Sequence, residues 1–223
     1  MATPPVTRPP FDLVIFDCDG VLVDSEPLAL KVCLELGAEL GWPLTEDEVI
    51  DRFLGRSERA VGEQIAERLG QELAVRWGEE YRERLARAID AELTEVDGAS
   101  EALDALPVPL YCIASSGSHE KMRRTLGRTG LVGRFAGRIF SASEVARGKP
   151  EPDLFLYAAD RMGVAPARCA VVEDSQYGVR AARAAGMRAF GYAGGLTPAD
   201  WLAGPGTTVF DDMRKLPALL ATH

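Results

Sequence analysis

An apolar segment near the start of the chain ends in two aspartates that are one residue apart. Residues 11–16 are followed by Asp17, Cys18, Asp19 and Gly20. Side chains at positions i and i+2 of a strand lie on the same side, so the two carboxylates can converge just beyond the strand end. Burying two such groups without a partner costs on the order of several kcal/mol. A metal ion, a shared proton or a bound substrate would remove that cost, whereas the ordinary alternative is a β-hairpin turn at Asp19 and Gly20.

The size and charge of the chain limit the classes of protein it can belong to. Its 223 residues are enough for a sizeable core and for one domain with an insertion. The formal net charge of −9 and the pI of about 4.9 argue against a nucleic acid or an anionic membrane as partner. A small anionic substrate stays compatible with this charge, because local cations can oppose the global sign.

The cysteines and the apolar runs favour a cytoplasmic protein. The four cysteines, at positions 18, 33, 112 and 169, form no CxxC pair and have no zinc-site spacing. We therefore predict unpaired thiols packed in the core, as is usual in a reducing compartment. The first ten residues lack the apolar segment of a signal peptide and are predicted to form a loose arm. No apolar run approaches the length of about 18 residues that a membrane span requires.

After the first strand the apolar residues recur with a helical period. Leucine or valine occurs every four residues from Leu28 to Leu40, and similar rows continue to Ile89. Such rows, with charged residues between them, predict amphipathic helices. Thr45 and Ser57 are predicted helix starts.

From residue 98 onwards, short apolar segments alternate with helical ones. This alternation predicts right-handed crossovers and a mainly parallel sheet. The chain is therefore predicted to be one α/β domain, residues 1–24 and 94–223, with an all-helical domain, residues 25–93, inserted after the first strand. The predicted strands are 13–17, 110–114, 139–140, 170–172 and 189–192, with a last edge strand near 209–210. The predicted helices of this domain lie near 99–106, 118–130, 152–163, 175–186 and 216–220.

Polar residues follow several of the predicted strands, at the edge where parallel α/β sheets collect their functional sites. Each taken alone has an ordinary explanation as a helix cap or turn residue, but their common position favours one site. Carboxylates suit Mg²⁺, and lysine supplies a point charge to phosphate oxygens, so the set suits a phosphate ester. The residues are Asp17, Asp19, Ser115, Ser116, Lys149, Glu173 and Asp174.

These segments resemble the four sequence motifs of the haloacid dehalogenase superfamily. The matching residues are Asp17 to Val21, Ser115 after an apolar strand, Lys149 with Pro150, and Glu173 to Ser175. Residues 173–187 are similar to the phosphatase and β-phosphoglucomutase-like branch, and residues 16–26 resemble sugar-phosphate and phosphogluconate phosphatases. The resemblance implies a Rossmann-like core with a helical cap inserted after the first motif.

The resemblance also implies a magnesium-dependent phosphatase mechanism. Asp17 would attack phosphorus and form an aspartyl-phosphate, and Asp19 would protonate the leaving alcohol and later activate water. The two carboxylates then need different protonation states, with Asp17 ionised beside the metal and Lys149, and Asp19 protonated. Ser115, Ser116 and Lys149 would bind the phosphoryl oxygens.

The same resemblance implies the ligands of the metal ion. Mg²⁺ would be held by the Asp17 carboxylate, the backbone carbonyl of Asp19 and Asp174, with Glu173 as a ligand or as a neighbour of one. The expected partner is a small-molecule phosphate ester, and a monomer is expected.

Substrate choice is expected to come from the helical cap. In similar proteins the loop at residues 54–59 faces the active site, so Arg56 or Arg59 could meet an anionic group of the substrate. Glu26, beside the hinge, is a further candidate. The alternative is that both arginines are solvated surface residues at a helix start.

Other activities of the superfamily fit the sequence less well. A phosphosugar mutase keeps a histidine in the first cap helix, where this chain has Ala29, and a cap-loop arginine near the position of Glu58. A dehalogenase does not need the acid at Asp19, and a phosphonatase needs a Schiff-base lysine in the cap, where the only lysine is Lys31. A non-catalytic binding protein on the same fold stays open as the alternative of a different class.

Overall fold

A parallel sheet forms the centre of the part of the chain that this computed structural model describes, residues 10–56 and 58–222. The first nine residues, most of the predicted loose arm, and Ser57, a predicted helix start, lie outside the described residues. The strands are β1 (Leu13–Phe16), β2 (Leu110–Ser115), β3 (Ile139–Ser141), β4 (Cys169–Glu173), β5 (Arg188–Tyr192) and β6 (Thr207–Phe210). Their order in the sheet is β3-β2-β1-β4-β5-β6, so the first strand lies in the middle.

The central position of β1 determines which strand ends surround the two aspartates that follow it. It pairs with β2 on one side and β4 on the other, with Leu13 opposite both Leu110 and Cys169. Every residue of β1 is buried, as is typical of a parallel strand covered on both faces. Because both neighbours are parallel, the β-hairpin alternative for Asp19 and Gly20 is wrong.

The first four helices after β1 are α1 (Glu26–Glu39), α2 (Glu46–Phe53), α3 (Glu58–Leu69) and α4 (Gln71–Glu92). We refer to them as the helical insertion. Helix α2 begins at a capping box, in which Thr45 Oγ1 accepts from the Glu48 N–H and the Glu48 carboxylate accepts from the Thr45 N–H. The insertion has an apolar core of its own, in which the rings of Trp42 and Trp77 each pack edge to face against the ring of Phe53. The predicted all-helical insertion after the first strand is confirmed.

The remaining helices cover the two faces of the sheet. They are α5 (Ala99–Asp104), α6 (His119–Arg128), α7 (Asp153–Met162), α8 (Gln176–Ala184), α9 (Ala199–Leu202) and α10 (Leu216–Ala221). Short 3-10 helices occur at Val132–Phe135, Ala142–Glu144, Pro166–Arg168 and Met213–Lys215. Val14 and Phe16 pack with α5, α6 and α10, whereas Leu13 and Ile15 pack with α7 and α8. Each such fully buried side chain contributes about 1.5–3 kcal/mol, which fixes the strand in the sheet.

This α/β fold brings the carboxyl ends of the strands to one edge, where the predicted polar residues meet. The four cysteines are unpaired and buried, as predicted. Among the described residues, no helix combines the length and the apolar character needed to cross a membrane.

Candidate active site

Asp17 is the first residue after β1 and lies almost completely buried at the strand end. Its Oδ1 accepts a hydrogen bond from Lys149 Nζ at 2.8 Å. Burial raises the pKa of Asp17 to about 7, although the Lys149 ammonium acts in the opposite direction. Asp17, the nucleophile predicted from the sequence, is therefore largely buried and has a cationic partner.

Lys149 joins the loop before α7 to two strand ends. Its ammonium also donates to Glu173 Oε1 at 2.6 Å, and its side chain is only 4% exposed. The second oxygen of Glu173 accepts from the backbone N–H of Ser175 at 2.7 Å and from its hydroxyl at 2.9 Å. Both Glu173 oxygens are thus occupied, which favours a supporting role for Glu173 over direct metal binding. Buried charges of this kind are tolerated only when each one has its partners.

Asp174 and Glu26 form a second buried acidic pair at the same edge of the sheet. Burial raises the pKa of Glu26 to about 8 and that of Asp174 well above its ordinary value; Glu26 adds to the rise at Asp174, whereas Asp174 acts in the opposite direction on the pKa of Glu26. The two groups are neighbours, because a Cβ on Gly20 would lie 2.8 Å from Asp174 Cγ and 2.9 Å from Glu26 Cδ. Glu26 therefore lies beside the acidic residues of the core and lines the cavity, and its role in specificity stays a prediction.

The acidic residues fit a divalent cation. Oxygen atoms of Asp17, Glu173 and Asp174 lie within 4.8 Å of one another. Asp174 Oδ2 is buried and has no hydrogen-bond partner among the described residues, as expected of a metal ligand. Gly20, with a φ of 72°, leaves room for it, because a Cβ there would lie 2.0 Å from that oxygen. Oxygen ligands of this kind are those that Mg²⁺ prefers.

Asp19 points away from this acidic group. Its Oδ2 accepts from Lys121 Nζ at 2.8 Å and its Oδ1 accepts from the Ser25 hydroxyl at 2.6 Å. Burial alone would raise the pKa of Asp19, but the charge and hydrogen bond of Lys121 and the hydrogen bond of Ser25 outweigh it and lower the pKa. The prediction of a protonated Asp19 is therefore wrong for this structure, because a lysine that the sequence analysis did not consider lies beside it. A metal contact by the Asp19 backbone carbonyl stays a prediction.

The turn after β2 supplies the predicted phosphate-binding hydroxyls. Ser115 is buried, and its Oγ accepts from the Gly117 N–H at 3.1 Å. Ser116 is exposed but lines the same cavity as Asp17 and Lys149. Ser118 caps α6 by accepting from the Lys121 N–H at 3.2 Å. The free backbone N–H groups at such a helix start favour anions.

A cavity of about 710 Å³ separates the sheet edge from the helical insertion. The loop before α3 closes one side of it: a Cβ on Gly55 would lie 2.7 Å from Ser175 Cβ, so the loop contacts the core directly. Arg56 lines the cavity with its guanidinium over the ring of Tyr177, 5.4 Å from the ring centre. Arg59 also reaches the cavity, but its side chain is 87% exposed and pairs with Glu63 at 2.9 Å.

Lys121 and Tyr81 also line the cavity but were not predicted as site residues, because neither follows a strand nor lies in the loop before α3. Lys121 lies in the first turn of α6 and Tyr81 is on α4. A signal for Lys121 was present, because a lysine in the first turn of a helix is unfavourable beside the helix dipole and indicates a nearby anion. Lys31, the lysine a phosphonatase would need, has a side chain 60% exposed and lies 3.9 Å from Glu92, which does not suit a Schiff base.

Comparisons with known proteins point to the same family as the sequence motifs. A protein-family model described as haloacid dehalogenase-like hydrolase matches residues 11–186. The 6-phosphogluconate phosphatase of Escherichia coli (strain K12) is 32% identical over 209 residues, which cover 93% of this chain and 94% of that protein.

Solved structures show the same fold. A conserved haloacid dehalogenase-like protein from Agrobacterium tumefaciens matches with a TM-score of 0.84 and 39% identity, over 95% of this chain and 98% of the other. A hydrolase of this family from Deinococcus radiodurans, solved with bound phosphate and sodium, matches with a TM-score of 0.78 and 32% identity, over 96% of both chains. The resemblance and the fold predicted from the sequence motifs are confirmed.

Proposed function

Because the chain belongs to the haloacid dehalogenase-like hydrolase family, it is a phosphoric monoester hydrolase, and we propose that it is a magnesium-dependent phosphatase for sugar phosphates or phosphorylated sugar acids. One observation carries the proposal: the Lys149 ammonium bridges Asp17 and Glu173, at 2.8 Å and 2.6 Å, at the floor of a cavity large enough for a sugar phosphate. The name of the Escherichia coli relative, 6-phosphogluconate phosphatase, supports the substrate class.

In the first step a carboxylate oxygen of Asp17 forms a bond to phosphorus, and the bond from phosphorus to the ester oxygen breaks. Asp19, ionised in the structure, first takes a proton from water or from the monoanionic form of the phosphate ester, and then gives that proton to the leaving alcohol. Lys149, Ser115 and Ser116 hold the phosphoryl oxygens during the transfer. The product of this step is an aspartyl-phosphate and a free alcohol.

In the second step water hydrolyses the aspartyl-phosphate. Asp19 takes a proton from the attacking water, and phosphate leaves as Asp17 is restored. The ionised Asp19 of the structure, oriented by the Ser25 hydroxyl and Lys121, has the protonation state that this step requires.

Asp17, Asp174 and the Asp19 carbonyl would hold the metal ion, with Glu173 orienting Lys149 and the Ser175 turn. When bound, the ion supplies positive charge that offsets the negative charge of the phosphate and of the nucleophile. Asp174 and Glu26, whose pKa values are raised in the metal-free protein, would release protons if a cation bound beside them.

We further propose that the helical insertion acts as a cap, residues 25–93, over a core formed by residues 1–24 and 94–223. The contact of Gly55 with Ser175 and the position of Arg56 over Tyr177 support this division of roles. A cytoplasmic location and a monomeric state stay predictions.

Arg56→Gln is expected to lower kcat/KM for sugar phosphates about tenfold, mainly through KM. The reason is that a charged hydrogen bond to a substrate group contributes about 1.5–3 kcal/mol. Turnover of a small aryl phosphate, which does not reach the insertion, should change less than about threefold. Arg68→Gln removes the same charge from the exposed last turn of α3 and serves as the control. Equal losses with both substrates would contradict a role for Arg56 in specificity.

The metal-free protein is expected to lose stability as the pH rises from about 5 to about 8. Carboxyl groups of unfolded chains titrate near pH 4, whereas the folded pKa values of Asp17 and Glu26 are about 7 and about 8. The folded state therefore holds protons in this range that the unfolded chain has already released, and stability falls with pH. Melting temperatures measured in EDTA at several pH values test this.

Added MgCl₂ should reverse that loss, because a cation replaces the protons at the acidic group. Glu26→Gln should flatten the metal-free pH profile and serves as the matched variant. A metal-free melting temperature that rises between pH 5 and pH 8 would contradict the assignment of these carboxyl groups.

The decisive test of the proposed function is magnesium-dependent release of phosphate from a panel of aryl phosphates, sugar phosphates and phosphorylated sugar acids. Release of phosphate to water supports a phosphatase, whereas transfer of phosphate between sugar positions would support a mutase. Absence of turnover with any divalent cation would favour a non-catalytic binding protein.

A further inference from the structure

Lys121 is a cation of the cavity to which the proposed mechanism assigns no contact with the substrate. It lies in the first turn of α6, and its ammonium donates to Asp19 Oδ2 at 2.8 Å. A third of its side chain is exposed, and it lines the cavity together with Asp19. The residue is therefore accessible to a bound substrate.

The electrostatic setting of Lys121 favours a second anionic partner. The helix dipole disfavours a cation in the first turn of a helix. Asp19 is the one hydrogen-bond partner that the described residues give this ammonium, which has three N–H donors. Tyr81 of α4 and the Cys18 thiol also face it, but burial raises the pKa of both groups, so neither supplies a negative charge at neutral pH.

Two other cations that line the cavity, Lys149 and Arg124, are more fully engaged. Lys149 is bound by two carboxylates, Asp17 and Glu173. Arg124, on the same helix as Lys121, forms a two-pronged pair with Asp90 of α4. Lys121 thus combines access to the cavity with unused donors.

Its position relative to the reacting groups indicates which part of a substrate it would meet. Lys149 contacts Asp17, on the side of the phosphoryl group, whereas Lys121 contacts Asp19, which is proposed to meet the leaving alcohol. A group that binds Lys121 therefore belongs to the organic part of the substrate. One ammonium balances the single charge of a carboxylate, whereas a second phosphate carries a charge of about −1.5 to −2 and would stay partly unbalanced.

We propose that Lys121 binds a carboxylate on the organic part of the substrate and thereby makes the enzyme selective for phosphorylated acids, a role that rests on the proposed phosphatase function. The substrate carboxylate replaces or joins Asp19 as the partner of the Lys121 ammonium. No covalent bond changes in this contact. A substrate with a neutral group in the same place leaves Lys121 on Asp19.

The test compares two matched pairs of phosphate esters. The long pair is gluconate 6-phosphate and glucitol 6-phosphate, and the short pair is glycolate 2-phosphate and ethyl phosphate. Each pair differs in a carboxylate, so a general effect of Lys121 on Asp19 cancels in the ratio of their kcat/KM values. Glucose 1,6-bisphosphate is added to distinguish a second phosphate from a carboxylate.

Wild-type enzyme is expected to prefer the carboxylate member of at least one pair. Lys121→Gln should lower that preference about tenfold or more, mainly through KM, as expected for a charged hydrogen bond. Lys121→Arg keeps the charge and should retain most of the preference. Arg123→Gln removes an exposed cation from the same helix and should leave the kcat/KM values of both members of each pair unchanged.

Binding to an inactive variant separates this inference from the proposed function. Calorimetry with Asp17→Asn should show tighter binding of the carboxylate ester, and adding Lys121→Gln should abolish the difference. Wild-type enzyme that hydrolyses none of the esters would contradict the proposed function, while the binding preference still tests Lys121. Equal losses for both members of each pair, or a loss confined to the bisphosphate, would overturn the carboxylate assignment.

Discussion

Asp17→Asn is expected to abolish turnover while leaving the fold intact. The amide cannot attack phosphorus, and loss of a covalent nucleophile typically lowers kcat by about 10⁴-fold or more. Asparagine has the same shape as aspartate, and Lys149 keeps Glu173 as its partner at 2.6 Å. Removing one of several neighbouring carboxylates also relieves their mutual repulsion. The melting temperature should therefore equal or exceed that of the wild type.

Phosphate release in the presence of MgCl₂ measures the effect on activity. Asp160→Asn, an exposed carboxylate on α7, is the matched control and should retain wild-type rates. Near wild-type phosphate release by Asp17→Asn would show that another residue is the nucleophile.

Lys149→Met is expected to damage both activity and stability. Its removal leaves Asp17 and Glu173 buried without their shared cation. Breaking a buried ion pair in this way costs about 3–5 kcal/mol of folding free energy. Loss of a cation that holds the phosphoryl oxygens should lower kcat by a factor of about 10² or more.

The destabilisation should depend on pH in a defined direction. Without Lys149 the pKa of Asp17 rises further, so the folded state favours the protonated carboxyl group and the penalty grows as the pH rises. Urea denaturation at pH 5 and pH 7.5 tests this, with the larger loss expected at pH 7.5. Lys149→Arg keeps the charge and should recover part of the stability. Equal stability of Lys149→Met and wild type at pH 7.5 would refute the bridging role.

The features of the fold that follow from periodicity could be predicted from the sequence. The apolar runs of the buried parallel strands and the four-residue spacing of the insertion are local patterns, and burial on both faces of the sheet preserves them. Asp17, Lys149 and Asp174 were found because each follows a strand or a loop at the carboxyl edge. The chain order of such residues is enough to place them at one edge.

The protonation states and the partner of Asp19 could not be predicted in the same way. They depend on which side chains meet across the cavity, and Lys121 is 102 residues from Asp19 in the chain. The pairing of Glu26 with Asp174 likewise joins the start of the insertion to the end of β4. Such contacts follow from the packing of separate elements, and no local pattern encodes them.

The aromatic core of the helical insertion provides an intrinsic fluorescence probe of that part of the chain. Two of the three tryptophans, Trp42 and Trp77, lie in that core with ring centres 6.4 Å apart, whereas Trp201 lies on α9 at the sheet. Intrinsic fluorescence therefore reports mainly on the insertion, while far-ultraviolet circular dichroism averages over both parts of the chain. Transitions that coincide by the two methods would show that the insertion and the sheet unfold as one cooperative unit.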